Sequence, residues 1–326
     1  MKPVRIAVIG VGYIGSRHAR KVASLAESSG EVTLAGVADI DFRRASQQAL
    51  RLRTLAASDG RDLHSLADAA IVAVPTVAHF DVVREALERG LDVLVEKPMA
   101  ASIREGEELI SVARSGGRLL QVGHIEHFNA VMPAIREHID HPRFIEAHRL
   151  GPFTERAADV DVVRDLMIHD IDIIQQLLGE APRRVEAVGV PVVTDKVDVA
   201  HARLEFPGGC VASLTASRVS PTPTRKLRVY QRDAFFAIDF LEQSASLYRP
   251  AEGEIEVDAE ENATSSGIGV EELKIDPEDA METQLRAFVR AVRTRKQTSA
   301  SGADGLGALR TALRVFEAMS FAHEEP

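Results

Sequence analysis

The sequence predicts an α/β protein of two domains: an open parallel sheet wound with helices over residues 1–122, then a mixed α+β domain with a largely antiparallel sheet over residues 123–326. Three observations predict it. Short β-prone apolar runs alternate with amphipathic helical stretches through the first 122 residues, the pattern of parallel strands joined by crossover helices. A glycine-rich turn separates the first run from the first helix. Beyond residue 122 the alternation gives way to period-two runs of the kind that half-buried strands show.

The elements follow in order. Residues 4–9 form a compact strand, 13–26 a helix with one apolar stripe, 32–38 the next strand and 42–57 its partner helix. The pattern returns as strand 70–74, helix 78–89, strand 91–95, helix 103–114 and strand 119–122. After it come a helix at 131–138, a strand at 144–150 and a helix at 164–178 with a polar face. Alternating runs between 184 and 230, notably 200–206 and 210–216, read as a twisted sheet that 235–240 extends. The acidic, small-residue stretch 252–269 reads as a surface excursion. Helical periodicity resumes at 278–293 and 305–322, helices expected to close over one or both domains, a return to the first domain among the arrangements, although the period does not show where they dock.

Composition narrows the function classes. The 326-residue chain has a net charge of −10, which disfavours nonspecific contact with another polyanion, although a local basic patch can still take a phosphorylated metabolite. No Lys/Arg block interleaved with aromatics marks a nucleic-acid surface, and no apolar stretch reaches membrane-spanning length. No nucleic-acid partner and no membrane insertion are expected, and a cytoplasmic location is the default. Cys210 is the single cysteine, which excludes an internal disulfide and a cysteine-built zinc site within one chain.

The segment VRIAVIGVGYIG has the form strand, tight turn, helix. Gly10 permits the turn, Gly12 removes a side chain where phosphate must approach, and Gly15 allows the helix close to the strand. Tyr13 and Ile14 lie inside the same turn. The helix N–H groups then face a diphosphate. Asp39 ends the second strand at the distance expected of an acid that reads the adenosine ribose, and its charge opposes the 2′-phosphate of NADP. That favours NAD, with Arg43 and Arg44 close enough in sequence to approach a phosphate instead. A Rossmann-like sheet follows from this junction. A purely structural glycine turn is the alternative.

Two further segments carry chemistry. VLVEKPMA places Glu96, Lys97 and Pro98 just beyond a parallel strand, at the sheet end where ligands approach. A lysine there can stabilise a developing alkoxide, or can serve only in a strand-end ion pair. VVRDLMIHDIDIIQQLLG sets Asp165 and His169 four residues apart on one helical face, with Asp172 three residues farther. Histidine suits proton acceptance near neutral pH, while a solvated or merely satisfied acid–histidine pair is the plainer alternative. Asp170 and Asp172 near His169 raise a metal site, but no separated ligand completes one, and none is expected.

The glycine loop, Asp39, AVPTVAH and GLDVLVEKPMA together resemble the glucose–fructose oxidoreductase, inositol dehydrogenase and MocA-like family. The resemblance implies an NAD-dependent dehydrogenase with Lys97 at the active site, Glu96 at the cofactor, and Pro75, Thr76 and His79 bordering the dinucleotide. It also implies that the DxxxHxxD arrangement is the family's second active-site motif, with His169 as the leading base. GHIEHFNAV, RDLMIHDIDI and SRVSPTPTRKLRVYQRDAFFAIDF resemble the subgroup that oxidises the C3 hydroxyl of UDP-N-acetylglucosamine to a ketone. A separate aminotransferase can then aminate that ketone, on the route to lipid A. His127 departs from the arginine of that subgroup's HIERFN-like segment, whereas Asn129 matches it; both are expected at the substrate. Arg218 and Arg225, in a basic stretch with Lys226 and Arg228, could neutralise the substrate diphosphate, provided that strand alternation leaves them on a useful face.

The mechanism implied brings the sugar C3–H to the nicotinamide. His169 removes the hydroxyl proton, Lys97 stabilises the oxyanion or itself acts as base, and Asp165 orients. Oxidation of a free sugar or cyclitol with NAD or NADP and a noncatalytic dinucleotide-responsive binding protein are the competing readings. Family membership also implies a homodimer or homotetramer.

Overall fold

The structure, a computed structural model, describes residues 2–153, 160–250, 268–297 and 299–320. The chain forms two compact units: Met1–Phe128 with Asp279–Arg310, and Asn129–Glu278 with Thr311–Pro326.

The first unit runs β1 (Val4–Ile9), α1 (Tyr13–Ser29), β2 (Val32–Ala38), α2 (Phe42–Leu52), β3 (Ala56–Ala57), β4 (Ala69–Val72), α3 (Thr76–Glu88), β5 (Asp92–Val95), α4 (Ile103–Ser115) and β6 (Leu120–Val122). All six strands are parallel, in the order β3-β2-β1-β4-β5-β6. β4 and β5 are buried along their whole length and apolar except for Asp92, the pattern of a sheet covered on both faces. The strand order reverses between β1 and β4, the switch point beside whose carboxyl ends open sheets of this kind take their ligands.

The second helix is shorter than its periodicity predicts. Residues 42–57 were expected to be helical throughout, but Arg53 takes the left-handed conformation at φ 53° and ends α2. The chain then reverses and pairs Ala56 with Val37 as an edge strand. The gain of a ladder with β2 outweighs the five further residues of helix expected at 53–57.

The second unit contains α5 (Val131–Arg136), β7 (Phe144–Leu150), a π-helical turn (Val163–Met167) continued by α6 (Ile168–Leu178), then β8 (Arg184–Val190), β9 (Val199–Glu205), β10 (Val211–Ser217), β11 (Thr224–Gln231), β12 (Ala234–Asp239), β13 (Ser244–Pro250) and β14 (Ile268–Glu272). These strands and a last short one pair as a nine-stranded sheet, antiparallel except where β7 meets β10 and at the far edge. Ala147, Ala212, Leu214, Leu227 and Val229 are buried on one face. The predicted helix 164–178 therefore begins as a π turn, a feature frequent at functional sites, and only its later part is α-helical. Of the predicted excursion at 252–269, residues up to 267 lie outside those described, and Ile268 and Gly269 open β14.

The chain closes with α7 (Ala280–Thr294), α8 (Gly302–Glu317) and the edge strand β15 (Met319–Ser320). α7 belongs to the first unit. Leu285, Phe288 and Val289 pack into the same core as Ile6, Val22, Leu25 and Val37. Arg295 at its end chelates the buried Asp92 at 2.5 and 3.1 Å. No helix among the described residues is long and apolar enough to cross a membrane.

Candidate active site

In the first unit the site is built on the β1–α1 turn. Gly10 has φ 85°, and a Cβ there would lie 2.6 Å from the Ala73 carbonyl oxygen. At Gly15 a Cβ would fall 1.8 Å from the Gly10 carbonyl oxygen, so only glycine lets the helix sit this near the strand. Gly12 is different: a Cβ there meets nothing within 4 Å. Gly12 is the N-cap of α1, and no side chain caps the helix. Open space over an uncapped helix N-terminus suits an incoming diphosphate, whose charge the helix dipole favours.

Asp39 is buried at the end of β2 and is joined directly to this turn. Its Oδ2 accepts the Val11 N–H at 2.9 Å, and its Oδ1 accepts the Asp41 N–H at 2.9 Å. Arg44 approaches the carboxylate at 3.3 Å with half its side chain exposed. Asp39 thus props the glycine loop as well as carrying the charge expected at the ribose. Tyr13 is 56% exposed beside the turn, with the Arg17 guanidinium 5.8 Å from its ring centroid, and Ile14 is half-buried.

Beyond β4, Pro75 is the exposed N-cap residue of α3 and Thr76 its first, half-buried residue. His79, expected to border the dinucleotide, is 1% exposed, with Nδ1 2.8 Å from the Pro98 carbonyl oxygen and Nε2 2.9 Å from that of Val74, to only one of which a neutral imidazole donates. Burial pushes its pKa down, against those two backbone contacts, and the imidazole sits below the ordinary histidine value. Glu96, expected at the cofactor, has a partner within the first unit. Its Oε1 lies 2.7 Å from Nε2 of His18 on α1. Burial pushes the Glu96 carboxyl up, but the His18 hydrogen bond and charge, with the charge of Lys97, outweigh it and hold Glu96 below the usual carboxylate range. Lys97 follows, half-buried.

His18 was not singled out from the sequence. The signal was there: it occupies the buried stripe of α1 with Gly15, Ala19, Val22 and Leu25, a polar residue where the pattern asks for an apolar one. His127 is 8% exposed, its ring 6.3 Å from that of His124.

In the second unit, Asp165 lies in the π turn and His169 in the first turn of α6, both half-buried. The helix is pinned beside them. Arg149 of β7 reaches Asp170 through Nε and Nη2 at 2.8–3.1 Å, both residues being 3% exposed. A bidentate pair of this kind fixes orientation as well as charge. Asp172 is buried and accepts Gln176 Nε2 at 3.1 Å. Among the described residues no cluster of His, Cys, Asp or Glu is arranged to hold a metal ion.

Two residues expected at the substrate have work inside the fold. Asn129 gives its Nδ2 to the Phe240 carbonyl at 3.1 Å and takes the Val131 N–H at 3.1 Å. Arg218 is 2% exposed, and its guanidinium binds Asp198 at 2.7 Å, the Val160 carbonyl at 2.7 Å and Thr194 Oγ1 at 2.9 Å. Its position just past β10 carries it under the 191–197 loop, a placement that strand periodicity does not disclose. The basic stretch is also divided by the strand. Lys226 and Arg228 lie near Asp239 and Glu146, at 3.7 and 3.8 Å, whereas Arg225 stands opposite Arg149 across β7 and β11 and is exposed.

Comparison with known proteins agrees with this architecture. Residues 4–124 match the model of an oxidoreductase family with an NAD-binding Rossmann fold, and residues 121–236 match the GFO/IDH/MocA C-terminal domain. The chain is 34% identical over 313 residues, 96% of each sequence, to UDP-N-acetylglucosamine 3-dehydrogenase of Acidithiobacillus ferrooxidans. A structure of that enzyme superposes with a TM-score of 0.90 over 98% of both chains. It is 29% identical over 238 residues, 67% of this chain and 68% of the relative, to scyllo-inositol 2-dehydrogenase (NAD(+)) of Bacillus subtilis. Scyllo-inositol dehydrogenase from Lactobacillus casei, solved with NAD(H) and scyllo-inositol, shares the fold at TM-score 0.79 over 98% of this chain and 97% of its own, and 18% identity. With its glycine turn between β1 and α1 and both family models matched, the chain belongs to the GFO/IDH/MocA family of oxidoreductases and is an NAD-dependent dehydrogenase.

Proposed function

We propose that this dehydrogenase oxidises the C3 hydroxyl of UDP-N-acetylglucosamine to a 3-keto nucleotide sugar. The observation that carries the proposal is the full-length 34% identity to an enzyme of that name. NAD supplies the hydride acceptor. The first unit would hold it through the Gly10–Gly15 turn, Asp39, Arg44, Pro75 and Thr76. His169 takes the hydroxyl proton, Lys97 stabilises the negative charge developing on the same oxygen, and Asp165 orients the hydroxyl or the imidazole. Arg225, exposed on β11, is the candidate in the basic stretch for the substrate diphosphate, while the guanidinium of Arg218 is buried against Asp198. His127 is kept as a candidate sugar contact.

A homodimer or homotetramer is part of the same proposal. The face of the second unit's sheet opposite its buried one carries stacked rings from Phe144, Tyr230, Phe235 and Tyr248, at centroid spacings of 4.2–5.6 Å. Val188 and Val190 on β8 are exposed as well. An apolar surface of this kind fits association of copies. The product ketone fits a downstream aminotransferase.

The test is incubation with NAD and UDP-N-acetylglucosamine, following NADH and the sugar product by mass spectrometry. A 3-keto product is expected. Oxidation of scyllo- or myo-inositol with no turnover of the nucleotide sugar would move the substrate to the cyclitols.

A further inference from the structure

We propose that two buried histidines, His18 and His79, are positioning residues for Lys97, fixing the residues on either side of it. The proposal rests on the assignment of Lys97 to the reacting hydroxyl.

The segment Glu96–Lys97–Pro98 follows β5 at the carboxyl end of the sheet. The Glu96 N–H donates to the Val72 carbonyl at 2.9 Å. Pro98 has no N–H, so its carbonyl is its only backbone hydrogen-bonding group. His79 packs between that carbonyl, 2.8 Å from its Nδ1, and the Val74 carbonyl, 2.9 Å from its Nε2; its single neutral N–H serves one of the two, and the ring buttresses the turn after β5 against the turn after β4. On the other side His18 holds the Glu96 carboxylate at 2.7 Å. The second carboxylate oxygen lies against Gly123, where a Cβ would come within 2.8 Å of it. Three features therefore converge on Glu96: an imidazole, a glycine that leaves it room, and the last ladder bond of the sheet.

Packing alone does not require these groups. A leucine would fill either buried position without desolvating an imidazole or a carboxylate. What the imidazoles add is direction. A lysine side chain is long and has many rotamers, so placing its ammonium begins with placing its Cα. Misplacement by about 1 Å can cost about 100-fold in rate. Because His18 lies on α1, the helix that receives the cofactor diphosphate, the His18–Glu96 bond also registers Lys97 against the cofactor-binding helix.

The test compares His18→Leu with His18→Gln, which retains an amide N–H near the place of Nε2. With NAD and UDP-N-acetylglucosamine, His18→Leu is expected to lose about 10- to 100-fold in kcat, with NAD affinity within about 2-fold and His18→Gln recovering most of the loss. In a Lys97→Met background His18→Leu should cost nothing further. Full additivity, or equal loss in both His18 variants, overturns the proposal. Normal turnover of Lys97→Met alone would sink the role of Lys97, whereas an inactive Lys97→Met beside a normal His18→Leu sinks only the present inference. A crystal structure of His18→Leu gives a readout independent of substrate: Lys97 Cα displaced supports the proposal, and an unmoved Lys97 refutes it.

Discussion

Alanine at Gly15 would set a methyl carbon 1.8 Å from the Gly10 carbonyl oxygen, and reaching the ordinary contact distance of 3.4 Å needs a shift of about 1.6 Å between helix and turn. Overpacking of that kind costs about 1–3 kcal/mol. For a chain of this size each kcal/mol moves Tm by roughly 2–4 °C, so apo Gly15→Ala should melt about 2–12 °C below the parent. Alanine at Gly12 meets nothing within 4 Å and has an ordinary negative φ of −64°. Its apo stability should stay within about 0.5 kcal/mol. The methyl would instead stand in the space proposed for the diphosphate, and NAD affinity should fall at least about tenfold, or about 1.4 kcal/mol. Differential scanning calorimetry of both apo variants, with calorimetric titration of NAD, separates the two effects. Wild-type NAD affinity in Gly12→Ala would refute the placement of the diphosphate. A Gly15→Ala protein as stable as the parent would refute the steric argument.

Asp170→Asn leaves the buried Arg149 guanidinium without its counter-charge, and a loss of about 3–5 kcal/mol is expected in urea unfolding; a loss under about 1 kcal/mol would show that the pair does not pin α6. His169→Asn should lower kcat by about 100- to 10,000-fold with NAD affinity unchanged, and a near-normal kcat would remove His169 as the base. Burial pushes the Asp198 carboxyl up, but the N–H groups of Thr194, Val193 and Val192 and the Arg218 guanidinium outweigh it and hold it well below the usual carboxylate range. A depressed folded pKa contributes stability above the unfolded value and loses it as pH falls toward the folded one. The stability gap between the parent and Asp198→Asn should therefore be full at about pH 6 and narrow below roughly pH 4; a gap that widens with acid contradicts the assignment. Cys210 is buried with its thiol pushed up to about 11, so alkylation near pH 8 should be slow in the native protein and rapid in denaturant, and fast native labelling would show the thiol is accessible.

Local rules account for what was legible beforehand. Gly10, Gly12 and Gly15 announce a strand–turn–helix junction because backbone sterics act over a few residues, and Asp39 and Lys97 stand at strand ends that the apolar runs define. The parallel first sheet followed from the same alternation. Side-chain engagement was not legible. His79 and Glu96 read only as members of a linear motif, and the motif does not show that the Pro98 and Val74 carbonyls flank His79 or that His18, 78 residues away, faces Glu96. Arg218 reads as a free cation until folding brings Asp198 and Thr194 to it. The π turn at Val163–Met167 is invisible because its apolar period differs too little from an α-helix over five residues.

By itself, then, the sequence determined the two architectures, the place of the dinucleotide turn, and the residue types available for proton and charge transfer, all of which follow from spacing along the chain. Tertiary structure alone decided that α7 completes the first unit's core through Phe288 and Val289, that Arg149 and Asp170 fasten α6, and that Glu96 faces His18. The physical reason is the same in each case. Apolar period shows that a face must be buried, and charge shows that a partner must be found, but which surface and which partner are chosen depends on contacts between residues far apart in the chain.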